Sequence, residues 1–163
     1  MKKITSILLI CVICLASCST AEKKSNDNNY RNDVKVSAIS EKISNIANIS
    51  ALTQADEGWV ALNIPLDTSL CDESAVYIHT EGAADMFGVF KATSIENAEQ
   101  FLSDTNVFLE TLEENWMSEY LAEEFPKIEN AVAKRCGLYV TYLVFDENVR
   151  TSAETEFENM LKK

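Results

Sequence analysis

The stretch Leu138-Tyr139-Val140-Thr141-Tyr142-Leu143-Val144-Phe145 decides the fold. Its only residue that is neither aliphatic nor aromatic is Thr141. A strand with one face in water shows polar residues at every second position, and this run does not. It therefore reads as a central strand with both faces covered by helices. Downstream, Asp146 is placed to cap a terminal helix whose buried side is Val149, Ala153, Phe157 and Met160 or Leu161, at helical spacing.

Upstream, Ile128, Ala131 and Val132 lead through Lys134-Arg135-Cys136-Gly137 into the central run and read as its hairpin partner. Ahead of them, Thr93 with Glu96 three residues on is a capping box. The box opens the longest helical pattern in the chain: Ile95, Ala98, Leu102, Thr105, Leu109, Leu112, Trp116 and Tyr120 hold one stripe over about seven turns. Val76-Tyr77-Ile78-His79-Thr80 and Met86-Phe87-Gly88-Val89-Phe90-Lys91-Ala92 read as two strands, and the short Gly82-containing link makes them an antiparallel hairpin. Val36, Ile39, Ile43, Ile46 and Ala47 predict a core-facing helix of about 16 residues. Between them, Trp59, Val60, Leu62 and Ile64 before Pro65 suggest a short extended or irregular segment, and Asp67-Thr68-Ser69 a turn or cap. The expectation is an α+β domain over residues 34–163. Its antiparallel sheet has about four strands in the order α-β-β-α-β-β-α, with the helices packed on the sheet.

The N-terminus carries an address. Lys2 and Lys3 precede an apolar run from Ile7, which ends in Leu15-Ala16-Ser17-Cys18. A basic start, a short apolar segment and small residues before one cysteine are what secretion, acylation of the thiol and cleavage require. A membrane span takes about 20 apolar residues, which this run does not reach. Residues 1–17 are thus expected to be a lipoprotein signal peptide and Cys18 the lipidated first residue of the mature chain. Ser19 to Asp33, rich in Ser, Asn, Lys and Asp, then has the composition of a solvated tether, so residues 18–33 are expected to link the lipid to the domain.

Cleavage would leave 146 residues, room for one domain of ordinary size. Loss of Lys2 and Lys3 lowers the 14 basic residues to 12 against 26 acidic ones, a net charge of −14. Nucleic acid is a poor partner for that charge. Any electrostatic partner would be cationic or bridged by a metal ion.

Catalytic signatures are sparse. Four glycines, Gly58, Gly82, Gly88 and Gly137, make no phosphate loop. His79 is the single histidine, without spaced partners for a zinc site or a Ser/His/Asp set. Glu96, Glu99, Asp104, Glu110, Glu113, Glu114, Glu119, Glu123 and Glu124 follow one another with no intervening Lys or Arg, but most fall off the apolar stripe, as on any solvated helix face. An enzyme or cation-binding protein using this 96–124 face is the alternative reading. Neither cofactor nor metal is implied. Cys71 and Cys136 would bridge only if their strands ran parallel as neighbours; closing that loop of about 65 residues would contribute roughly 4 kcal/mol. Trp59 and Trp116 sit in apolar contexts and read as core rather than as a sugar platform. For recognition, the turn Glu81 to Asp85 stands out, because loops held by a hairpin carry function more often than the helices behind them; Glu81 and Asp85 are its candidate binding residues.

Glu81-Gly82-Ala83-Ala84-Asp85-Met86-Phe87-Gly88-Val89-Phe90-Lys91-Ala92, the long helix after it, Ile128-Glu129-Asn130-Ala131 and Gly137-Leu138-Tyr139-Val140 together resemble a family of small lipoproteins of Gram-positive bacteria that carry a domain of unknown function. The resemblance spans about residues 64–163, departs from the family pattern at Met86 and Cys136, and implies an anchored extracytoplasmic domain without catalytic residues to transfer. The expected function is a non-enzymatic binding or accessory module at the cell membrane, attached through Cys18 and meeting a protein partner at the surface.

Overall fold

A computed structural model of the chain describes residues 27–117, 119 and 121–163. The expected signal peptide, residues 1–17, and Cys18 lie outside the described residues. Five strands form one fully antiparallel sheet: β1 (Leu52–Gln54), β2 (Cys71–His79), β3 (Met86–Ala92), β4 (Val132–Cys136) and β5 (Tyr139–Val144), in the spatial order β1-β2-β3-β5-β4. The helices are α1 (Val36–Ala47), α2 (Glu57–Asn63), α3 (Ile95–Asn115), α4 (Phe125–Glu129) and α5 (Glu147–Leu161). The α+β class, both hairpins and the covered central strand agree with the sequence reading; β1 is a fifth strand, too short at three residues to show a period.

β5 lies between β3 and β4, and every residue in it is buried. Its alternation feeds two separate cores. Tyr139 and Leu143 join Val36, Ile39 and Ile43 of α1 and Ala153, Phe157 and Leu161 of α5 on one face. Val140, Tyr142 and Val144 join Phe101, Phe108 and Leu109 of α3 on the other, with Ile64, Leu66 and Ile128. Gly88 of β3 sits in this second core, where an added Cβ would stand 2.5 Å from the rings of both Phe90 and Tyr142. The tilted Phe90–Phe101 pair, with centroids 4.5 Å apart, depends on that missing side chain.

Several local readings are corrected. Trp59 lies in α2, because the Asp56 carboxylate accepts from the Trp59 N–H at 2.8 Å and caps a helix turn. The cap of α3 is Ser94, whose hydroxyl accepts from the Asn97 N–H at 3.1 Å, so the helix begins one residue beyond the Thr93 box. The helix stops at Asn115, short of Tyr120. Glu110, Glu113 and Glu114 crowd the negative end of its dipole, and its last turn holds no basic residue. Ile128 belongs to α4, and Lys134, Arg135 and Cys136 belong to β4, leaving Gly137 at φ 61 and Leu138 to make the turn. The α1 helix has 12 residues; its unsatisfied Val36 N–H is taken by Glu73 Oε2 of β2 at 3.0 Å, a cap supplied across 37 residues.

The described part of the tether is docked. A 3-10 turn at Asp27–Asn29 leads to Tyr30, which pairs with Lys162 as an isolated antiparallel bridge. Arg31 N–H donates to Leu161 O at 2.7 Å, and Tyr139 Oη donates to Val34 O at 2.6 Å. Residues 27–34 therefore pack on the domain rather than standing off it.

Candidate functional site

The hairpin turn singled out by the sequence is an ion-pair knot. Asp85 follows the tight Gly82-Ala83-Ala84 link, and its side chain is 7% exposed. Its Oδ2 lies 2.8 Å from Lys127 Nζ of α4, which also meets Glu124 Oε2 at 3.0 Å, while Glu124 Oε2 accepts from the Ala84 N–H at 2.7 Å. Burial pulls the Glu124 carboxyl upward, but the Ala84 N–H and the Lys127 ammonium outweigh it and hold the group below its ordinary range. Burial likewise works against the Lys127 charge, and its bonds to Asp85 and Glu124 raise it above the usual lysine value. His79 closes the knot: Nδ1 accepts from the N–H groups of Glu81 at 3.1 Å and Ala83 at 3.4 Å. The structure thus separates the two candidates. Glu81 is exposed, whereas Asp85 anchors the turn to α4.

Cys71 and Cys136 are free, and their strands are not adjacent: β3 and β5 stand between them. They also face opposite cores, Cys136 the α1/α5 side and Cys71 the α3 side. The parallel adjacency a bridge requires is absent. Burial raises the Cys71 thiol to about 12 and the Cys136 thiol to about 11, which leaves neither as thiolate at neutral pH. Trp59 and Trp116 pack against the second core. Most carboxylates of the 96–124 run point into solvent, and Glu124 is committed to Lys127. Among the described residues, no group of three His, Cys, Asp or Glu side chains is placed to hold a metal ion, and no helix is long and apolar enough to cross a membrane.

A concavity lies at the β2 edge. β1 pairs with β2 only from Tyr77 to His79, and one further bond, Ala55 N–H to Val76 O at 2.9 Å, ends the contact. Antiparallel strands turn the N–H and C=O of alternate residues to the same side. Val76 faces β1, so Ser74 two residues earlier directs its N–H and C=O outward, where no strand follows. Instead α2 stands beside this edge, and none of its residues is buried; Leu62 is 87% exposed. Between α2 and the edge lies a cleft of about 630 Å³, walled by Val60, Ile64 and Leu66, rimmed by Glu57 and Asp67, and floored by Ser74 to Val76. A second hollow of about 250 Å³ opens on the other face of the same edge, between Val36 and Ser37 of α1 and Glu73 and Tyr77. Both share Gln54, Ser74 and Ala75.

No protein-family model, curated protein or solved structure matches the chain. The site must be read on its own chemistry. Sequence reasoning missed it because an unfilled edge is a property of topology. One signal was present: no Lys or Arg occurs between Lys42 and Lys91, while Asp56, Glu57, Asp67, Asp72 and Glu73 all fall in the segment that builds the cleft.

Proposed function

We propose that this chain is a lipoprotein held at the extracytoplasmic face of the cell membrane by acylated Cys18, and that its domain is a non-enzymatic binding or accessory module. The observation that carries the reading is Leu15-Ala16-Ser17-Cys18 behind Lys2, Lys3 and a short apolar run. The resemblance to small Gram-positive lipoproteins agrees with it. Residues 18–26 separate Cys18 from the docked Asp27, and nine residues span no more than about 32 Å. The domain therefore works within a few nanometres of the bilayer, presenting surfaces to other molecules held there.

Binding is favoured over catalysis by what the chemistry-bearing side chains do. His79 Nδ1, Asp85, Glu124 and Lys127 are engaged with one another or with backbone in a turn-to-helix lock, while the β2 edge offers unfilled hydrogen-bonding groups beside a cleft. The pocket volume falls in the range of ligand sites.

The anchor is tested with the full chain in cells fed labelled fatty acid. The native chain should take up label and run at the cleaved size; Cys18→Ala should leave a larger, unlabelled precursor. Labelling that persists in Cys18→Ala would end the anchor reading.

A further inference from the structure

We infer that the open edge of β2 is a peptide-binding site that takes an extended, lysine-rich segment of a partner protein as an added strand. The inference deepens the binding-module reading and rests on it for context, but it stands on separate observations.

The first is the edge itself. Among the described residues, neither strand nor helix receives the outward N–H and C=O of Ser74, in the direction in which β1 ends. Natural sheets blunt such edges with a covering element or an inward charge. Here the covering element, α2, leaves a cleft of about 630 Å³ between itself and the strand.

The second is the pair of hollows. Side chains of an added strand point alternately to the two faces of the sheet, so strand addition demands a receptacle on each face. The α2-side cleft and the α1-side hollow meet at Ser74 and Ala75, one above and one below the edge. A groove built only to hold a compact small molecule has no need of the second hollow.

The third is charge. Both hollows have apolar walls, Val60 and Ile64 on one side and Val36 and Tyr77 on the other; Glu57 rims the first, whereas Glu73 in the second already accepts from the Val36 N–H and faces Lys91. Asp67 adds a further acid to the first rim, and neither lining contains a Lys or Arg. A lysine side chain matches that pairing, since its methylene stem lies along apolar surface while its ammonium reaches the carboxylate. A second copy of this chain does not match it. Its own β2 segment, Cys71–His79, carries Asp72 and Glu73 and no Lys or Arg, so it brings no cation to the acidic rim.

The test uses the full chain in uncharged detergent micelles, so that it proceeds whether or not Cys18 is acylated. The probe is an end-capped six-residue peptide alternating lysine and valine, and the control alternates glutamate and valine. Titration followed by amide NMR should show saturable binding of the lysine peptide, at least tenfold tighter than the glutamate control, with the Ser74 amide shifted most. Glu57→Gln with Asp67→Asn should weaken it about tenfold and flatten its salt dependence, because the carboxylates act through charge. Ser74→Pro removes the outward N–H at a position where an edge strand tolerates proline, and should abolish binding. Should Ser74→Pro fail to fold, an N-methylated peptide that cannot complete the ladder should fail to bind native protein. Equal binding of both peptides, shifts centred on β4, or no binding of either would overturn the inference. None of these results touches the fatty-acid label on Cys18, so failure of this site and failure of the anchor are told apart.

Discussion

The two edges of the sheet face the same problem, exposed backbone groups, and are treated in opposite ways. β4 is locked from both faces. Lys134 Nζ reaches Glu154 Oε1 at 2.6 Å and also Glu158 of α5, while Arg135, its side chain 9% exposed, reaches Asp27 Oδ1 at 2.7 Å, Gly137 O at 2.9 Å and Glu99 of α3 at 3.4 Å. The docked N-terminal turn completes the closure. β2 has one ion pair along its open half, Glu73 with Lys91 at 3.9 Å, and a helix beside it with no buried residue. An edge that only needed protection against self-association would be expected to resemble β4. The contrast teaches that the opening at β2 is local, confined to the stretch that β1 does not reach, which is where the proposed peptide site lies.

The comparison presumes a rigid centre, and the largest effect is expected there. Val140→Asp places an unpaired charge in the second core on a fully buried strand bonded on both sides, and should destabilise by more than about 4 kcal/mol, leaving no cooperative transition by circular dichroism. A folded Val140→Asp variant would mean that β5 is not central. Next come the edges. Arg135→Ala removes the contacts to Asp27, Gly137 and Glu99, so denaturant midpoints should report a loss of about 2 kcal/mol. Leu62→Ala on α2 should change stability by no more than about 0.5 kcal/mol, because its side chain is already in solvent. Equal effects of the two substitutions would erase the difference between the edges.

Acid provides a finer probe of the closed edge. Bonds to Lys134 and Lys162 hold the Glu158 carboxyl below its ordinary range. Its contribution is therefore complete above the unfolded carboxylate value near 4.5 and is lost as pH falls through the lower folded value. The Arg135→Ala and Leu62→Ala difference rests on other groups, and should persist at pH 5. A further, smaller loss of stability below about pH 4 should be reduced by Glu158→Gln when thermal melts of the two chains are compared across that range.

Much of this architecture was legible in the residues. The run 138–145 announced a strand covered on both faces, because seven apolar or aromatic residues leave no face for water. The hairpin at 76–92 and the stripes of α1, α3 and α5 followed from periodicity. What escaped was non-local. Three-residue β1 has no pattern of its own, and the cap of α1 comes from Glu73, 37 residues away. Asp85 reads as an exposed turn residue until α4 delivers Lys127 from 42 residues on. The cleft was illegible for the same reason: Ser74 is an unremarkable strand residue until β1 is seen to stop short of it.

Native-state hydrogen exchange tests the central claim, that one edge is locked and the other held open beneath a loose helix. Amides of Val60 to Ile64, which close α2 and its cap, should open at a free energy at least about 2 kcal/mol below those of Lys134 and Cys136, which β4 directs at β5. Exchange of both sets through one global unfolding, at equal free energy, would show α2 to be as firmly seated as β4 and would contradict the account.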